Sequence, residues 1–371
     1  MVCQGMLLAA LFAAAACAAE LRPSVPGLDA VQRPAIPFNP RHYVASRASA
    51  PLQIDGKLDE ADWDKAEWTE DFVDIEGPAK PVPRFRTRAK LLWDDDYLYF
   101  AVEMEEPDLW ATLTERDTVI YQDNDIELFI DPEGTTHRYM ELEINQHGTP
   151  WDLLLVKPYR DGERVAYNGW DIHGLKIGRT LRGTLNQPGD RDQGWTVEVA
   201  IPWGALRESY GESLRPKAGD QWRLNFSRVE WKTRSDGGAY QKLVDEASGR
   251  PLSEDNWVWS PQGVIDMHYP EMWGVVQFSG LAAGDARECW HDDPKQAAKW
   301  ALREVYYAQR AFYAKHRRFA SHFGQLGLKL DAPAGYTWPP RLYVSPQRFT
   351  ASIVGKDSGA SLSIEQDGLV H

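Results

Sequence analysis

The sequence predicts a mainly β protein: an antiparallel β-sandwich over residues 51–280, with a small C-terminal α+β appendage over 281–371. Three observations carry this. Strand-sized runs alternate apolar and polar residues, turn residues punctuate them, and helical spacing is confined to the last part of the chain. A length of 371 residues leaves ample material for a core, and the sixteen tryptophans suit a β-rich core, an aromatic binding surface, or both.

Residues 1–19, MVCQGMLLAALFAAAACAA, are apolar and small, and give way at once to ELRPSVPG. This reads as a secretory signal peptide with its apolar core at Met6 to Ala16, although no Lys or Arg precedes it. It is too short, and too interrupted by Cys and Gln, for a membrane span. Two routes stay open: cleavage after Ala18 or Ala19, or lipidation at Cys17 to give an anchored lipoprotein. Cys3 and Cys17 lie in this leader, so the mature chain keeps only Cys289 and has no intrachain disulfide. Export without disulfides fits a secreted or periplasmic bacterial protein that relies on its core. Residues 20–50 hold five prolines and little periodicity, and read as an extended lead-in or linker.

The sandwich begins at PLQIDGKLDEADWDKAEW, with six acidic residues in Pro51 to Trp68. A calcium loop of the EF-hand type needs glycine at its sixth position, and none stands there counting from Asp55, Asp59 or Asp62. The stretch reads instead as a strand, an Asp55-Gly56 turn and a helical turn that tucks Trp63 into the core. RTRAKLLW and YLYFAVEM flank Asp94 to Asp96 as a hairpin, and DIELFIDPEG is a short strand ending at Asp131-Pro132. YMELEINQHG places Met140, Leu142 and Ile144 on one face, and Glu141, Glu143 and Asn145 on the other. The turn at Gln146 to Gly148 leads to TPWDLLLV. WTVEVAI lines up Trp195, Val197, Val199 and Ile201. WRLNFSRVEW alternates through Phe226, with Arg223, Asn225 and Ser227 opposite, and then shifts phase; WGVVQF closes the sandwich. Trp63, Trp93 and Trp195 belong to the core by alternation.

In the appendage, helical spacing follows Pro294, with Trp300, Val305, Ala308, Phe312 and Phe319 near one stripe and Gly324 as the stop. Short strands follow in RLYVSPQRFTASIV and ASLSIEQDG.

A formal charge of −14 and a pI near 5.2 argue against nucleic acid or an anionic membrane surface as partner. The nine histidines lack the i, i+4 pairing of zinc helices, and no CxxC, GxSxG, P-loop or dinucleotide fingerprint occurs, so no nucleotide cofactor is expected. His268, in DMHYPEMWG, reads as a hydrogen-bonding core or turn residue.

In order, IDGKLDEADW, AKLLWDDDYLYFAVEMEEPD, DNDIELFIDP, YMELEIN, GWTVEVAIPW and MWGVVQF resemble the segments of family 9-like carbohydrate-binding modules, from about Pro51 to Gly280. The resemblance implies a β-sandwich that binds the ends of sugar chains, carries structural calcium and accompanies secreted xylan-degrading enzymes. It implies an aromatic six positions before a strand glutamate, here Tyr121 and Glu127, with tyrosine in place of the usual tryptophan. It also implies an asparagine with a second aromatic, here Asn256 with Trp257 or Trp259. Asp123 and Asp125 are the candidate calcium ligands. The Glu141, Glu143, Asn145 row supplies either acceptors for sugar hydroxyls or a solvated face. Pyranose rings expose C–H faces that stack on aromatic rings, while their hydroxyls need polar partners, and carboxylates bind them by charge-assisted bonds.

The expected function is therefore an exported, non-catalytic protein that binds polysaccharide or oligosaccharide, with a glycoside hydrolase as partner. Three rivals stand beside it: a glycoside hydrolase acting through these acids, a structural or assembly module, and a haem-binding electron-transfer sandwich. The last needs Met104 or Met140 to meet a histidine at iron.

Overall fold

The computed structural model describes residues 27–210, 215–286 and 288–371; the leader at 1–19, with Cys3, Cys17 and both processing routes, lies outside them. The strands before the C-terminal helix begin with β1 (His42–Arg47), β2 (Val73–Asp74), β3 (Thr87–Trp93), β4 (Tyr97–Met104) and β5 (Asp125–Asp131). They continue with β6 (Tyr139–Asn145), β7 (Pro150–Leu155), β8 (Ala166–Tyr167), β9 (Lys176–Arg182) and β10 (Gly194–Pro202). Last come β11 (Gln221–Glu230), β12 (Thr233–Asp236), β13 (Ala239–Lys242), β14 (Asp255–Val258) and β15 (Gly274–Ala282). Helices α1 (Ala61–Lys65) and α2 (Arg207–Tyr210) are short, whereas α3 (Pro294–His316) is long and precedes β16 (Arg341–Val344), β17 (Phe349–Val354) and β18 (Ser361–Glu365).

The strands stack as two layers. One runs β8-β7-β6-β5-β11-β15 and the other β3-β4-β10-β9, and β1 joins them. Residues His42 to Ala45 pair with β15, a register shift follows before Arg47 pairs with Ala282, and Ser46 and Arg47 also pair with β3. A strand that changes layers turns a corner, so one hydrogen-bonded path closes over its own core. The pairings of β1 are parallel, and those of the other strands named above are antiparallel. The part of the lead-in at 42–47 is thus a strand of the sheet. Its proline run stops at Pro40, which frees the next residues to pair.

Alternation fills the space between the layers. Ile126, Leu128 and Ile130 of β5 and Met140, Leu142 and Ile144 of β6 face Leu91, Phe100, Val102, Val197 and Val199. Met104 and Met140 are buried in this apolar cluster, where a haem reading needed them at a metal. The expected phase shift in β11 does not occur, since its pairing with β5 is unbroken from Arg223 to Val229. Instead polar residues take inward positions at its end. Arg228 donates to Thr87 Oγ1 and to the Glu106 and Glu230 carboxylates at 2.9–3.0 Å. Ion pairing lets the strand keep its period while its composition changes.

The acid-rich opening of the domain is structural. Trp63 is fully buried, and its Nε1 donates to Glu198 Oε1 at 2.9 Å. Glu198 Oε2 accepts from the Asp55 and Gly56 amides, and Asp62 accepts from Ser49. Gly56 has a φ of 83°, and a Cβ there would lie 2.3 Å from the Arg179 backbone, so the turn requires glycine.

Helix α3 starts at Asp293, whose side chain caps the Lys295 amide, with Pro294 in the first turn. It stops at Arg317 in a left-handed conformation, with its amide bonded to the Tyr313 carbonyl, well before Gly324. Ala298, Leu302, Val305, Tyr306, Gln309 and Tyr313 form its buried face. Trp300, Ala308 and Phe312 of the expected stripe are only partly buried, so the true stripe is rotated around the helix. Leu28, Ile36 and Phe38 of the lead-in pack in the same cluster, with Phe38 stacked on Trp300 at 4.4 Å. Buried ion pairs tie α3 to the sandwich side. Glu271 accepts from Arg160 at 2.8 Å and from the Tyr307 hydroxyl at 2.6 Å, and Asp161 accepts from Arg310 and Tyr306 at 2.5 Å. Burial pushes the Glu271 carboxyl up, but Arg160 and Arg303, the latter 3.7 Å away, outweigh it and hold Glu271 down to about 2.

Candidate functional site

The outward face of β5 and β6 is not solvated. Asp125, Glu127, Phe129 and Asp131 alternate outward on β5, and Tyr139, Glu141, Glu143 and Asn145 on β6, all of them buried. A cover formed by β2, β14 and the 261–273 segment explains this: Ile75, Val258, Met267 and Trp273 pack on Phe129, Tyr139, Leu153 and Leu155. The cover is incomplete, and it leaves a cleft of about 440 Å³.

Tyr121, Glu127, Glu141, Glu143 and Asn256 line this cleft. Glu127 and Glu143 are directly opposed across the β5–β6 pairing, and Trp151 of β7 stands opposite Glu143 on its other side. Glu143 accepts from the Tyr121 amide at 2.8 Å, whereas Glu127 Oε2 is buried without a hydrogen-bond partner. Two exposed tyrosines stand at the mouth: Tyr121, 37% exposed, and Tyr159, 47% exposed.

The other three expected residues lie elsewhere. Trp257 and Trp259 point into the sandwich core, 3% and 0% exposed. Alternation forces this, because once Asn256 faces the cleft its neighbour Trp257 faces the opposite side of β14. Trp259 packs over Gly274, where a Cβ would lie 2.3 Å from its ring. Asn145 shares the glutamates' face but is consumed by the turn that follows. It donates to the Leu113 carbonyl and to Asp123, and accepts from the His147 and Thr149 amides.

Of the expected calcium ligands, Asp123 is saturated by Thr112 N, Thr112 Oγ1, Leu113 N and Asn145 at 2.8–3.0 Å. Asp125 differs. It is 1% exposed and neither carboxylate oxygen completes a hydrogen bond, although the Val229 amide is near enough to favour its charged form. Oxygens of Asp125, Glu127 and Glu143 lie within 4.8 Å of one another. A second acid trio, Asp117, Asp152 and Asp171, is bridged by Arg116, which pairs with all three.

Glu254 and Asp266 add further acids to the lining, and no Lys or Arg is among it. Burial raises the Glu127 carboxyl to about 7, and burial with neighbouring carboxylates pushes Glu141, Glu143 and Asp125 well above the ordinary range. His268 also lines the cleft and is bonded at 2.8 Å to the Tyr139 hydroxyl; burial first, and Arg160 second, lower it to about 3, so it is neutral. The arrangement is rich in acceptors and poor in cations.

Trp151, Tyr159 and Asp266 were not legible as site residues. Trp151 carries a usable signal, since β7 pairs beside the glutamate row and its alternation puts Trp151 and Leu153 on one face. Its Nε1 is buried without a partner. Tyr159 sits in a single turn after β7, where no period applies.

Several known proteins and one family model are similar to this chain. The exoglucanase XynX of Acetivibrio thermocellus is 24% identical over 153 residues, which cover 41% of this chain but only 12% of that protein. A family 9 carbohydrate-binding module from Caldicellulosiruptor kristjanssonii in complex with cellotriose is 17% identical, over 68% of this chain and 100% of that one, with a TM-score of 0.42. Its complex with glucose gives 17% identity over 67% and 100%, also with a TM-score of 0.42. Residues 54–227, just under half of the chain, match the family model described as "Carbohydrate family 9 binding domain-like".

Proposed function

We propose that the protein is an exported carbohydrate-binding protein that holds an oligosaccharide or a polysaccharide end in the cleft beside β5 and β6, without cleaving it. One observation carries the reading: buried carboxylates line an open cleft whose mouth is set with exposed tyrosines. Glu127, Glu141, Glu143 and Asn256 supply acceptors for vicinal hydroxyls, and Tyr121 and Tyr159 supply faces for the sugar's C–H surface. Among the described residues no helix is long and apolar enough to cross a membrane; secretion rests on the leader's composition. A glycan-array screen of the mature chain, followed by calorimetry with cellotriose, xylotriose and glucose, tests the reading. Binding of a defined glycan class is expected; absence of binding to every glycan contradicts it.

Hydrolysis of the bound glycoside is a second reading, favoured by the raised Glu127 carboxyl near a second acid, a pattern suited to general acid work. Release of reducing sugar from the bound glycan would establish it, and binding without turnover would remove it.

A further inference from the structure

We propose that the cleft continues past Tyr159 into a second cavity walled by the lead-in, and that its ligand is an oligosaccharide chain lying across both. This extension rests on the carbohydrate reading above and narrows it, since a chain end held in the cleft alone does not reach the wall. The cleft measures about 440 Å³ and the second cavity about 510 Å³, each a size that takes a small ligand. Tyr159 lines both. Its ring is 47% exposed and meets His268 edge to face at 4.6 Å, so it stands as a supported ridge between them.

The wall is fixed, and the residues before the sandwich supply it. Leu28 is buried in the α3 cluster, the Asp29 carbonyl accepts from Arg310 Nε at 2.9 Å, and the Gln32 carbonyl accepts from the Tyr269 hydroxyl at 2.9 Å. The Ala35 amide donates to the Gly263 carbonyl, also at 2.9 Å. A strap that served only to cover α3 would close on it. This one leaves a gap lined by Asp29, Gln32 and Glu163, which are exposed and whose side chains make no hydrogen bond among the described residues. Their amide and carboxylate groups suit sugar hydroxyls, and a wall held in place beforehand loses little freedom on binding. Residues 29–32 and Arg310 lie outside the 54–227 match, so the lead-in and the appendage add this surface to the sandwich. A repeating ligand fits the arrangement. One ring stacks on Tyr159, while units on either side meet carboxylates in the cleft and polar groups at the wall.

Calorimetry on the mature chain tests this with cellotriose and cellohexaose, and with xylotriose and xylohexaose. In the series that binds, the hexasaccharide is expected to bind at least about tenfold more tightly than the trisaccharide. Gln32→Ala combined with Glu163→Ala removes polar groups from the wall, and Ala30→Trp fills the space beside it. All three positions are exposed, so melting temperatures should stay near wild type. Either change is expected to shrink the difference between six and three units to less than about threefold. Equal affinity for both lengths in the wild type, or a full difference kept by both variants, overturns the extension and leaves the carbohydrate reading standing. Absence of binding to every glycan refutes the carbohydrate reading itself, and the extension with it.

Discussion

Two groups of buried acids in this molecule are equally hidden from water and oppositely arranged. Where α3 docks, Glu271 and Asp161 meet Arg160, Arg303, Arg310 and two tyrosine hydroxyls, and Glu271 is held charged far below its ordinary range. At the cleft, Glu127, Glu141 and Glu143 of the lining and Asp125 beside them meet mainly one another, and all are raised. Burial alone therefore says nothing about role. An acid whose lone pairs are taken by the protein's own cations holds the fold together, whereas an acid that is buried, unpaired and next to open space is available to a ligand.

Breaking the paired group should have the largest effect. Glu271→Gln leaves Arg303 buried without its counter-charge and Arg160 with Asp161 alone, and about 3–5 kcal/mol of stability should be lost in urea denaturation. Trp259→Ala and Trp63→Ala empty fully buried sites and should cost a similar roughly 3–5 kcal/mol. For Trp259 this reverses the role of a sugar platform, so its variant should fail in stability before it fails in binding.

Acidification gives the next largest effect. With its carboxyl lowered from 4.5 to about 2, Glu271 contributes stability that is fully present above the ordinary value. That stability is lost as pH falls through the folded one. About 3 kcal/mol should disappear between pH 5 and pH 2, and denaturation midpoints across that range should fall less steeply in Glu271→Gln than in the wild type.

The rim should show the smallest effect. Tyr159→Ala removes a half-exposed ring from the mouth of the cleft, so its melting temperature should stay near wild type. Loss of stacking should weaken glycan binding by about 0.5–1.5 kcal/mol, read by calorimetry. Unchanged affinity would move the bound sugar toward Tyr121 and Asn256.

The sandwich was legible because most of its strands obey a period of two, and Glu127, Glu141 and Glu143 fall on one face by that rule. The same rule, applied at Asn256, excludes Trp257 from the cleft. The sequence also left unread the cover that buries the glutamate row. Its residues come from Val73–Asp74, Asp255–Val258 and the 261–273 segment, elements too short or irregular to carry a period. Strand β1 was hidden by the prolines before it, and the end of β11 by ion pairs that place Arg228 on an inward position. In each case a long-range partner decided what local pattern could not.

The central claim is that the unpaired acids serve a ligand and the paired ones serve the fold, and Glu127→Gln tests it most directly. The measurement is a calorimetric titration of this variant and the wild type with the best glycan from the array, each checked by a melting curve. The expected result is an affinity weaker by about 1.5–3 kcal/mol, from loss of charge-assisted bonds, at a melting temperature equal to or above wild type. Wild-type affinity in a folded Glu127→Gln protein would contradict the claim.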